Sequence, residues 1–252
     1  MPPTPQLEWP IPKFILTVED LSHEGAKLFF ANIEPYDDLQ LAVLYSFETL
    51  YTLDNVPRNV QEIKLILRDM DGVAYTCGTH TNKEIHFALN WIKQNAHRAR
   101  DEIMGVLTHE VVHCYQHNAQ GTCPGGLIEG IADLVRLHAS LSPPHWHRTA
   151  PTPSQKWDAG YERTAYFLDW INTVYGPTTI RTLNLSFQNR TYHKRIFREL
   201  TGRPLRKLWA LYCESFAGGA HISPEPPAES ESEDEGYDRI DHRGFAQLAG
   251  RS

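Results

Sequence analysis

Gly105-Val106-Leu107-Thr108-His109-Glu110-Val111-Val112-His113 carries two histidines four positions apart, with a glutamate directly after the first. Ile103, Val106 and Leu107 form an apolar run into it, and the spacing predicts a helix over residues 101 to 118. On a helix, positions i and i+4 project from one face about a turn apart, so both imidazoles can reach a single cation. Zinc suits neutral imidazole nitrogens, and a catalytic zinc usually has three protein ligands with the fourth position open to water. Glu110 sits where its carboxylate can take the proton of that water as it attacks a carbonyl, the role of a general base. The five-residue pattern alone is short enough to arise by chance. Its surroundings decide its weight.

A second apolar helix is predicted over residues 124 to 141, and it contains Glu129 and Asp133, again i and i+4. One of these acids can bind a metal while the other supports a ligand. The competing reading, a solvated helix face, fits poorly with the neighbours Leu127, Ile128, Ile131, Leu134 and Val135. His117 is the rival third ligand, four positions after His113. A straight helix rises about 1.5 Å per residue, placing the Cα atoms of His109 and His117 about 12 Å apart, too far for three ligands of one ion. His117 is expected to be a partly exposed surface histidine.

Outward from these helices the chain changes character. Residues 13–18, 62–68, 73–76 and 84–89 read as strands, with turn chemistry at Asp71-Gly72 and Thr81-Asn82; Asp69 and Asp71 are read as turn residues. Residues 39–53 carry apolar residues at helical spacing. Further helices are predicted over 159–174, 177–188, 193–200 and 205–216. A strand-rich half followed by a helical half is an α+β order.

The expected organisation is a Pro-rich leader over 1–12, one domain over 13–218 and an acidic disordered tail over 219–252. Of the net charge of −7, the tail holds eight acids against three arginines, leaving 23 acids and 21 bases in the body. A nearly neutral body has no basic surplus for phosphate backbones, so nucleic acid is not an expected partner. No run approaches the roughly 20 apolar residues of a spanning helix, and no membrane association is expected. Four cysteines without C-x-x-C spacing, together with no visible secretory signal, lead to a cytoplasmic expectation, with a monomer as the expected state. Cys114 is read as a buried thiol and Cys123 as a loop thiol.

The E-x-x-x-D spacing of Glu129 and Asp133 resembles the second helix of the gluzincin peptidases, whose zinc is held by two His and one Glu. That resemblance makes Glu129 the third ligand and Asp133 the acceptor that orients His109. From Glu62 to Phe216 the chain resembles the plant basic secretory protein family, zinc peptidases of plants, fungi and bacteria. Four blocks carry the likeness: those opening at Asp69, at Gly105, at Pro124 and at Trp157. The resemblance implies a zincin-like, gluzincin-like metallopeptidase fold, Zn2+ as cofactor and a peptide or protein substrate.

Within the Trp157 block, Tyr161 is the candidate phenol for stabilising an oxyanion, with Tyr166 in reserve. The alternative for Tyr161 is a ring packed in the core. The chain departs from the family in lacking a visible leader, in being acidic, and in having His117 where an aromatic is expected. A zinc enzyme acting on a small molecule, or a non-catalytic zinc protein, would share the same ligands. An intact Glu110 argues against the latter, since a purely structural site needs no base.

Overall fold

The computed structural model describes residues 8–152 and 154–217. They are mixed α and β, with one four-stranded sheet and nine α-helices among the described residues. The tail expected over 219–252 and most of the leader lie outside them. The described residues form two compact units: 8–116 with Val135–Pro143, and His117–Leu134 with 144–217.

The first unit contains the sheet. Its strands are β1 (Lys13–Val18), β2 (Glu62–Arg68), β3 (Ala74–Gly78) and β4 (Asn82–Ala88), in the order β1-β2-β4-β3. β1 and β4 run parallel to β2, whereas β3 pairs antiparallel with β4 and forms an edge. Alternation puts Ile63, Leu65, Leu67, Ile85 and Phe87 on one face, all inaccessible to solvent. At the tip of the β3–β4 hairpin, Gly78 has φ +117°, and a Cβ there would lie 2.3 Å from the Asn82 carbonyl oxygen. That turn requires glycine and fixes the register.

Four helices complete this unit: α1 (Glu24–Asn32), α2 (Pro35–Leu50), α3 (Leu89–Gln94) and α4 (Ala99–Tyr115). Every residue of α4 from Glu102 to Val112 is buried, polar Glu102, Thr108, His109 and Glu110 included, because this helix lies in the core. Both of its ends are tied down. Arg100 grips the Asp38 carboxylate at 2.8 and 3.0 Å and the Asn32 carbonyl at 2.6 Å. At the other end the Tyr51 hydroxyl donates to the Tyr115 carbonyl at 2.6 Å, satisfying one of the acceptors a helix terminus leaves over.

The helix predicted to run to Asn118 stops at Tyr115, where Gln116 turns extended at ψ 145°. His117 is therefore outside the helix. It is partly exposed, as read, and its backbone N–H donates to Asn184 Oδ1 at 3.1 Å.

Helix α5 (Gly125–His138) is shared, its last residues belonging to the first unit. There Arg136 lies against α4 at Gly105, where a Cβ would come within 2.5 Å of the guanidinium. Arg136 pairs with buried Glu102 at 3.4 Å and donates through Nε to the Leu141 carbonyl at 3.0 Å. Breaking such a buried pair by removing one partner typically costs about 3–5 kcal/mol.

The second unit holds the start of α5 with α6 (Tyr161–Tyr175), α7 (Thr179–Ser186), α8 (Arg195–Thr201) and α9 (Leu205–Glu214). An aromatic cluster of Phe167, Trp170, Trp209 and Tyr212 packs α6 on α9, with ring centroids 5.2–6.1 Å apart. Two glycines let α5 approach α6 and the segment before it: a Cβ on Gly130 would lie 2.3 Å from Thr164 Cγ2, and one on Gly126 would lie 1.9 Å from the Asp158 carbonyl oxygen. No helix among the described residues is long and apolar enough to cross a membrane.

Candidate metal centre

Helix α4 brings His109 and His113 together as the i, i+4 spacing predicts. Their Nε2 atoms are 3.1 Å apart and their rings meet edge to face. Nδ1 of His113 donates to the Gln116 side-chain oxygen. In a neutral imidazole, a donor at Nδ1 leaves Nε2 with a lone pair, and that lone pair points toward His109. Gln116 thus orients the His113 ring from the first residue beyond the helix.

The donor set fits zinc. Two ligands about 2.0–2.1 Å from one tetrahedral ion stand about 3.3–3.4 Å apart, close to the separation of these nitrogens. Two imidazole lone pairs so near each other also repel unless a cation or a proton lies between them.

Glu110 is buried on the same helix, and its anchor is a residue that the sequence reading missed. The Thr76 hydroxyl, on strand β3, lies 2.7 Å from Glu110 Oε2 and 2.9 Å from the Glu110 carbonyl oxygen. Its single proton is shared between these acceptors, and Oε1 is left for other work. Alternation in the strand would have shown which face Thr76 occupies. No spacing in the sequence links it to a residue 34 positions away.

In the second unit, Glu129 is half-buried and Asp133 is 1 % exposed on α5. Tyr161 opens α6 with φ +47°, directly after Gly160 at φ +90°. A tyrosine in the left-handed region is strained by about 1–2 kcal/mol, and such strain concentrates at functional positions. Its side chain is 46 % exposed, so the core-packing alternative does not hold. Tyr166, the reserve, is instead buried, with the Arg148 guanidinium 5.0 Å above its ring.

Asp69 accepts a hydrogen bond from the Asn90 amide, 21 residues along the chain, rather than closing a local turn; Asp71 opens the bend before β3. All four cysteines are free. Cys114 lies on α4 and Cys123 in the loop before α5; both are buried, and burial pushes both thiols far up in pKa.

Neither the curated proteins nor the solved structures yield a match to this chain. A family model described as "Peptidase of plants and bacteria" matches residues 11–212, taking in the sheet, the α4 motif and helices α5 to α8 with most of α9. The span is most of the chain and includes every candidate residue named above, and by it the chain belongs to the basic secretory protein family, the peptidases of plants and bacteria.

Proposed function

We propose that the chain is a zinc-dependent peptidase in which His109, His113 and Glu129 hold the ion and Glu110 is the general base. The observation that carries this reading is the pairing of two converging imidazole nitrogens, 3.1 Å apart, with a buried carboxylate held on the same helix by Thr76.

When bound, zinc lowers the pKa of a water and polarises a carbonyl as a Lewis acid. Glu110 takes the proton of the attacking water and later passes it to the leaving amine. Thr76 holds one carboxylate oxygen so that the other faces the water. Tyr161, with an exposed phenol on a strained backbone, donates to the oxyanion of the tetrahedral intermediate. Asp133 orients His109, as Gln116 orients His113.

Glu129 as third ligand rests on its i, i+4 spacing with Asp133 on α5 and on the resemblance to the gluzincin peptidases.

The edge position of β3 supports a peptide as substrate. Among the described residues β3 pairs only with β4, so its outer backbone groups can take an extended chain as an added strand beside the residue that holds Glu110.

The test is elemental analysis with a peptide-hydrolysis assay on the purified chain. At least one zinc per chain and hydrolysis lost on chelation are expected. A His109→Ala, His113→Ala double variant that holds as much zinc as the unaltered chain would sink the ligand assignment.

A further inference from the structure

We propose that Cys77, Glu84 and His86 form a second metal site, on the face of the β3–β4 ladder opposite Thr76, taking a borderline-soft divalent ion such as zinc. One ligand atom from each of the three residues lies within 4.8 Å of the others.

The ladder makes this arrangement. Cys77 stands directly opposite Glu84 and Tyr75 directly opposite His86, so all four side chains leave the same face of an antiparallel pair. Thr76 lies between Tyr75 and Cys77 and points the other way, to Glu110. The glycine turn at Gly78 fixes the register that aligns the thiol with the carboxylate and the imidazole.

His86 is the second, independent indication. It is 7 % exposed, its Nδ1 is buried without a hydrogen-bond partner, and its Nε2 is 3.4 Å from Glu84 Oε2. The Tyr75 ring stacks on the imidazole at 4.5 Å and 8°, holding the ring plane. A buried ring nitrogen with no partner is costly unless something fills that role.

The competing reading is an ion-pair cluster centred on Glu84, which also has Lys64 at 4.0 Å. That cluster gives no use to the thiol. A thiolate, a carboxylate and a neutral imidazole instead make a dianionic three-ligand set that neutralises a divalent ion, with a fourth position for water. Partial desolvation and the nearby Glu84 raise the Cys77 pKa, which favours the thiol in the absence of an ion. Binding then forms the sulfur–metal bond and releases the thiol proton to solvent. An ion there would staple β3 to β4 on the reverse side of the residue that anchors Glu110.

Cobalt(II) is a suitable probe, since a thiolate ligand gives it a near-ultraviolet charge-transfer band that imidazole and carboxylate ligands do not. Titrating the full chain should raise this band to saturation at about one thiolate-bound cobalt per chain. The band should survive in the His109→Ala, His113→Ala double variant and vanish in Cys77→Ser, a near-isosteric change at an exposed position. Glu84→Gln should weaken cobalt binding about tenfold or more with an unchanged circular dichroism spectrum. A band absent from the unaltered chain, persisting in Cys77→Ser, or lost with His109 and His113 would overturn the site. Peptidase activity reports the other centre separately, so failure of one assignment is distinguishable from failure of the other.

Discussion

Thr76 Oγ1 lies 2.7 Å from Glu110 Oε2, linking the edge strand of the sheet to the motif helix across 34 residues of sequence. A hydrogen bond from a fixed strand holds the carboxylate in one pose, and a general base works through that pose as much as through its basicity.

Thr76→Val removes the donor while keeping the branched shape that suits a strand. A fall in kcat of about tenfold is expected, from the hundredfold range over which a misplaced group costs rate. KM and zinc content should change little. Thr76→Ser should restore most of the rate. Failure of the serine variant to rescue would mean that the valine acts through packing rather than through the lost hydrogen bond.

Glu110→Gln keeps the shape of the side chain and its contact with Thr76 but cannot accept a proton. Zinc content should be unchanged and turnover should fall by about 10²–10⁴-fold, the usual contribution of a general base. A loss below tenfold at unchanged metal content would remove Glu110 from the mechanism.

Tyr161→Asn separates stability from activity. Asparagine tolerates a positive φ better than tyrosine does, so the melting temperature should rise, by the equivalent of up to about 1 kcal/mol. Turnover should fall, because the phenol is gone. A variant that is less stable and fully active would contradict both the strain and the catalytic role.

Acidification should destabilise the second unit through His117, whose burial lowers its pKa below the ordinary value of 6.5. In the unfolded chain this histidine takes its proton near that ordinary value; in the folded chain it does so only at lower pH. Between the two the unfolded state binds more protons, so stability declines as pH falls through about 6.5 and levels off below the folded pKa. Denaturant titrations of the unaltered chain and of His117→Gln from pH 7.5 to 5 would show the variant with a flatter profile. Parallel profiles would assign the dependence to other groups.

The parts of the fold that could be read from sequence were those where burial is one-sided or complete. Strands β1 and β2 have their read boundaries because each is an apolar run opened by a charged residue, Lys13 and Glu62. Helix α3 was missed because Phe87-Ala88-Leu89 continues the apolar run of β4, and the chain turns helical at Leu89 without a side-chain cap to announce it. Helix α1 was missed as well: it has nine residues, capped by His23 Nδ1 rather than by a Ser, Thr, Asp or Asn.

The same contrast holds at the site. The i, i+4 pairs were legible because a helix turns sequence spacing into geometry. Thr76 and Gln116 were not, since one reaches Glu110 through tertiary packing and the other depends on where α4 ends. The closely packed glycines also become intelligible only once their neighbours are seen: Gly105 under Arg136, Gly126 under the Asp158 carbonyl and Gly130 against Thr164.

Because α4 is buried along nearly its whole length and tied at both ends, its amide protons should exchange only when the first unit opens as a whole. Two of the proposed ligands and the base then ride on the slowest-exchanging segment of the chain. Local fraying cannot separate them, and under rising denaturant metal release should coincide with the cooperative loss of the sheet rather than precede it.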